Sequence, residues 1–191
     1  MHRLDGMALG LLAMSGQSVW GCVNIVRVAE HCIRHGVVRV VSPESVRGTG
    51  AYMVRNGQPW ILVSSSLSST DRRFVIAHEV AEWAIGSATH DNEAECDRLA
   101  AALLMPRAAP LAYLARAVRV SDIALHYGAS EASSVLRIGE VTGRPVAVKS
   151  PERFMRRGAQ IDWPRAIENG APQVHMRKCA DAPRKVAYLV A

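Results

Sequence analysis

Apolar and polar residues alternate along this chain with two different periods, and the change of period marks its elements. Residues 2–14 read as a helix, and Ser15–Ser18 break it. From Val19 to His35 the apolar positions Val19, Cys22, Val23, Val26, Ala29 and Ile33 trace one helix face, and Gly36 is placed to end it. Val37–Val41 is short and β-branched, which predicts a strand, and a loop containing Pro43 follows. Gly50–Arg55 and Trp60–Ser64 flank Asn56-Gly57, a turn pair that tolerates positive φ at both positions, so a hairpin is predicted. Pro59 implies that the second strand starts late or lies at an edge.

The second half is mainly helical. Arg72–Ile85 predicts a helix with Thr70 and Asp71 at its start and Gly86 at its end. Its buried face would be Phe74, Ala77, Val80, Ala81 and Ala84. A helix starting near Asp91 or Asn92 should close at Pro106, and Leu111–Val118 continues as helix or irregular connection. Residues 121–138 read as helix, glycine turn, helix, with Ser121 and Ser130 as caps. A DNA-reading second helix needs projecting polar and basic side chains. This one offers Ser133, Ser134 and Arg137 against Glu131 and Glu140, which favours a packed helical hairpin. Beyond Thr142 the pattern is irregular, with short strands expected at Val146–Val148 and Val186–Val190.

Candidate chemistry sits on the two central helices. His78 and Glu82 are four residues apart, hence on one helix face, where both can reach a single ion. Glu93 and Asp97 are also four apart on the next helix. That spacing lets Glu93 supply a third ligand while Asp97 accepts a hydrogen bond from the far nitrogen of His78 and fixes its tautomer. Glu79 directly follows the first ligand, the position from which a glutamate in zinc peptidases takes a proton from water. His90, in the intervening loop, is an alternative ligand.

The run Phe74-Val75-Ile76-Ala77-His78-Glu79, followed by Glu93-Ala94-Glu95-Cys96-Asp97-Arg98-Leu99-Ala100-Ala101-Ala102-Leu103-Leu104-Met105-Pro106, resembles the ImmA/IrrE family of metallopeptidases. The resemblance extends with gaps from about residue 23 to about residue 140. It implies a metal-dependent endopeptidase that cleaves a regulatory, often repressor-like, protein in a stress or mobile-element response. It also implies that an edge strand of the sheet, Trp60–Ser64 or a neighbour, receives the substrate by strand addition. The family's usual second ligand is histidine, whereas this chain has Glu82. A His/Glu/Glu set donates more negative charge, which makes a bound water less acidic and shifts preference from Zn²⁺ toward harder ions such as Mn²⁺. Three outcomes follow: a working peptidase, a metal site without efficient catalysis, or a degenerate scaffold acting as a protein- or DNA-binding regulator.

The expected fold is α+β: a small, mainly antiparallel sheet packed on helices carrying a zincin-like metal site, followed by a helix-turn-helix-like hairpin. The core unit would span residues 1–142, with the hairpin at about 119–140, and residues 143–191 would form a basic appendage. The formal charge is +6, and residues 151–191 supply +4 of it, with eight Lys/Arg against four Asp/Glu. A basic excess concentrated in a tail usually marks a solvated tail rather than a nucleic-acid surface, so DNA is only a weakly supported partner. Cys22, Cys32, Cys96 and Cys179 form neither a Cys-x-x-Cys pair nor a disulfide framework, which fits a reducing cytoplasm. Met7–Met14 is short and carries Asp5 nearby, so it reads as a packed N-terminal helix rather than a secretion signal. No apolar run approaches the roughly 20 residues that span a bilayer.

Overall fold

The structure, a computed structural model, describes residues 3–86, 92–116, 119–149, 154–157, 174–179 and 182–190. Its contacts divide the chain into two units, Met1–Pro106 with Tyr127–Ala129 and Arg107–His126 with Ser130–Ala191. The architecture is α+β.

The first unit runs α1 (Arg3–Met14), α2 (Ile25–Cys32), β1 (Val37–Val41), β2 (Gly50–Arg55), β3 (Gln58–Ser64), α3 (Ser69–Ile85) and α4 (Glu93–Leu104). Its core draws on every layer. Leu4, Ala8, Leu11 and Leu12 of α1 are buried with Ile25 and Val28 of α2, Ile61 and Val63 of β3, Ala77, Val80 and Ala81 of α3, and Leu99, Ala100 and Leu103 of α4. Each fully buried leucine or isoleucine there contributes about 1.5–3 kcal/mol relative to exposure. The apolar N-terminal stretch is therefore a core helix. No helix among the described residues is long and apolar enough to cross a membrane.

The helix predicted from Val19 begins only at Ile25. Gly21 takes φ 101°, and the Asn24 side chain accepts a hydrogen bond from the Arg27 N–H at 3.1 Å, so the cap lies inside the predicted range. Its end also differs from expectation. The left-handed residues are Arg34 (φ 38°) and His35 (φ 66°), not Gly36. Gly36 instead answers a close approach, because a Cβ there would lie 3.1 Å from the Ile33 Cβ.

The three-stranded sheet has the order β1-β3-β2, with β1 parallel and β2 antiparallel to β3. Asn56 (φ 51°) and Gly57 (φ 76°) both adopt positive φ, as the hairpin requires. β3 is the central strand, so of the expected peptide-receiving edges, Trp60–Ser64 or a neighbour, Trp60–Ser64 is not an edge and the neighbours β1 and β2 are. Pro59 is accommodated because β1 pairs with β3 only from Trp60 onward, so at Pro59 the strand is locally an edge.

The second unit contains α5 (Ala108–Leu114), most of α6 (Val120–Tyr127), α7 (Glu131–Thr142), β4 (Val146–Lys149), β5 (Phe154–Arg157), β6 (Val174–Cys179) and β7 (Ala182–Val190). The four strands form an antiparallel sheet in the order β5-β4-β7-β6. The basic C-terminal segment, expected to be a solvated tail apart from a strand at Val186–Val190, carries β5, β6 and β7. Ser130 caps α7 by accepting from the Ser133 N–H at 3.1 Å. Ser121 lies within α6, which starts at Val120. Ser134 and Arg137 of α7 are buried, and Arg137 is held by Glu140 at 3.0 Å. The arginine considered for DNA contact is therefore committed to an internal ion pair, as a packed hairpin requires.

Candidate metal centre

Local sequence fixes the helix that carries the site. Ser68, two residues before the expected Thr70–Asp71 start, accepts a hydrogen bond from the Asp71 N–H at 3.1 Å and caps α3. Gly86 ends the helix in the left-handed conformation, φ 73°. Between the caps, Ile76, Ala77, Val80 and Ala81 face the core. That burial fixes the rotation of α3 and turns His78 and Glu82 toward α4. α4 in turn buries Cys96, Leu99, Ala100 and Leu103, which places Glu93 and Asp97 on the facing side.

The structure brings together every residue the spacing singled out on these two helices. His78 Nε2 lies 3.6 Å from a Glu82 carboxylate oxygen and 3.2 Å from one of Glu93. All three donor atoms lie within 4.8 Å of one another. On the opposite side of the ring, His78 Nδ1 lies 3.0 Å from Asp97 Oδ1. The aspartate hydrogen bond holds the imidazole pKa above its ordinary value, with burial opposing and the Asp97, Glu82 and Glu93 charges adding to the rise. With its proton on Nδ1, the ring presents the Nε2 lone pair to the space between Glu82 and Glu93.

Glu79 is only 6% exposed. It lies against β2, where a Cβ added to Gly50 would meet the Glu79 Oε1 at 3.2 Å and Val75 Cγ1 at 2.2 Å. Only glycine lets the strand come this close. Burial first, then the charge of Glu82, raises the Glu79 carboxyl to about 7, against the lowering effect of His78 and of a backbone hydrogen bond from Tyr52. The β2 contribution has no signature in the sequence, because Gly50 lies far from the helix motif along the chain. Cys96 is buried, and burial pushes its thiol up to about 11, with the neighbouring Glu82 and Glu93 charges adding to the rise. His90 and Asp91 lie outside the described residues.

The donor set fits a divalent cation. A tetrahedral site with bonds of about 2.1 Å separates its ligand atoms by about 3.4 Å. The two separations from Nε2, 3.2 and 3.6 Å, bracket that value. Four carboxylates around one imidazole are also mutually repulsive, and a cation among them offsets that repulsion.

The fold resembles that of a Mycobacterium tuberculosis transcriptional regulator with a TM-score of 0.65 at 14% sequence identity, covering 100% of this chain and 88% of that one. At this identity the likeness is one of fold. None of the curated proteins matches the chain. The profile of the peptidase M78 family, described as the IrrE N-terminal-like domain, matches residues 32–138. That span takes in β1–β3, both helices of the His/Glu/Glu cluster and most of α7, and with more than half of the sequence matched the chain belongs to the IrrE N-terminal-like, peptidase M78 family.

Proposed function

We propose that this chain is a metal-dependent endopeptidase that cleaves a regulatory, repressor-like protein. The observation that carries the reading is the convergence of His78 Nε2, Glu82 and Glu93 beside the buried carboxyl of Glu79. Membership of a peptidase family supports the reaction class, and the fold shared with a protein described as a transcriptional regulator supports the regulatory setting.

His78, Glu82 and Glu93 would hold the ion, Zn²⁺ or, given two carboxylates among three donors, Mn²⁺. When bound, it supplies Lewis acidity that polarises a peptide carbonyl and acidifies water. Asp97 retains the Nδ1 proton and fixes the plane of the His78 ring. Glu79 is the proton carrier. Its surroundings hold the carboxyl near the middle of the physiological range, at about 7, and a neighbouring cation draws that value down, so the ionised form is available to accept a proton from water. The same carboxyl then returns the proton to the departing amine. β2, the strand against Glu79, is an edge of its sheet and offers its outer side to an extended peptide.

The test is a comparison of protein N-termini in cells expressing the wild type or Glu79→Gln. New N-termini, arising within a repressor-like protein and present only with the wild type, are expected. Identical N-terminal profiles in the two strains would overturn the peptidase reading and leave a binding role.

A further inference from the structure

The outer edge of β2 combines three features that together specify a ligand. The first is the direction of its backbone groups. The two-residue turn makes Arg55 and Gln58 the closing pair, and antiparallel ladders alternate from there. Ala51 and Met53 therefore turn their N–H and C=O groups toward β3, while Tyr52 and Val54 turn theirs outward. Two observations agree with this phase. Val54 stands opposite Pro59, which has no N–H to give, and the Tyr52 backbone reaches Glu79.

The second feature is apolar exposure. Tyr52, Met53 and Val54 are all exposed, and Val54 is 60% so. Edge strands are ordinarily guarded by charge, proline or a bulge. The opposite edge, β1, has such a guard in Arg39, which lies over the Trp60 ring at 5.8 Å. β2 has no charge between Gly50 and Val54. Among the described residues it is an unguarded edge, and it runs from the strand position that lies against Glu79.

The third feature is charge at the far end. Arg55 is exposed and ends β2. Gln58 Nε2 donates to the His35 carbonyl at 3.5 Å, which brings the exposed Arg34–His35 turn to the same end of the sheet. At the other end, Glu79, Glu82, Glu93 and Asp97 surround His78, and a divalent cation leaves that group formally negative. The rail is thus polarised, acidic at the reaction centre and basic about 10 Å away, three strand residues beyond Tyr52.

We infer that β2 selects an extended substrate segment of two or three apolar residues followed by an acidic side chain that pairs with Arg55, about three residues from the bond cut beside Glu79. The inference rests on the peptidase reading and names the chemistry of its substrate. Backbone pairing to Val54 and to the Tyr52 carbonyl supplies sequence-independent affinity, the exposed side chains favour β-branched or aromatic partners, and Arg55 sets the direction and register of the chain.

The test uses full-length Glu79→Gln loaded with Zn²⁺ and two fluorescently labelled peptides, Ser-Val-Thr-Val-Asp-Ser and the same peptide with Lys for Asp. Fluorescence anisotropy should show the Asp peptide binding about fivefold more tightly, the size expected of one exposed ion pair. Arg55→Glu should reverse the order. Val54→Pro, which removes an outward N–H that β3 does not use, should abolish binding of both peptides while thermal unfolding stays cooperative. Equal affinities, no binding of either peptide, or an unchanged preference in Arg55→Glu would overturn the inference. Incubating the wild type with the same peptides separates it from the peptidase reading. Cleavage without charge preference removes the inference alone, whereas charge-dependent binding without cleavage keeps the docking chemistry and removes the peptidase.

Discussion

Glu79 is the residue on which the proposed chemistry turns, and its environment makes a claim about stability as well as catalysis. The folded state raises its carboxyl from the ordinary 4.5 to about 7, chiefly by burial. Folding therefore favours the neutral form. The associated stability is fully present below pH 4.5, is lost as pH rises through about 7, and changes no further above that. The difference corresponds to at most about 3 kcal/mol. In metal-free protein, Glu79→Gln should thus gain stability over the wild type between pH 5 and pH 8, as read from urea unfolding at each pH. A stability difference that stays constant across this range would show that Glu79 is not desolvated. At this scale the sequence was informative wherever two groups share a helix face. His78 with Glu82, and Glu93 with Asp97, follow from a spacing of four. The depth of Glu79 does not follow from any spacing, since it depends on a strand that arrives from elsewhere in the chain.

Between elements, the decisive contact is β2 against α3. Gly50 permits it, because a side chain there would occupy the space of Val75 and press on Glu79. Gly50→Ala should destabilise the protein by about 1–3 kcal/mol through overpacking. Val75→Ala in the same chain should recover much of that loss by removing the methyl group that clashes. Thermal unfolding of the single and double variants reads this directly, and additive losses in the double variant would contradict the packing account. The hairpin was legible because Asn56-Gly57 is a strong local signal, and β1 because it is a clean β-branched run. The place of β3 was not legible. Pro59 suggests an edge, yet it occupies a central strand at the one position where the neighbour has not yet begun. The start of α2 was hidden for a related reason. Val19, Cys22 and Val23 continue the helical period by chance, and Asn24, a capping residue inside the pattern, decides the boundary.

Across the whole molecule, the sequence made the helices that carry the site easier to read than the sheet of the second unit. β4 and the end of β7 are apolar and β-branched, and both were expected. β5 and β6, Phe154–Arg157 and Val174–Cys179, are rich in Arg, Lys and His and carry little strand propensity of their own. Their strand character comes from pairing with β4 and β7, partners that no local pattern reveals. The same limit explains why a basic excess read as a tail. The matched family span takes in His78, Glu79, Glu82, Glu93 and Asp97, and we propose that Glu82 serves as a metal ligand where the family's usual second ligand is histidine. The most direct measurement is the metal content of the purified protein by elemental mass spectrometry, for the wild type beside Glu82→Ala and Glu93→Ala. About one ion of Zn²⁺ or Mn²⁺ per wild-type chain, lost in both variants, is expected. A wild type that takes up neither ion after incubation with both, or variants that retain the full complement, would contradict the proposal.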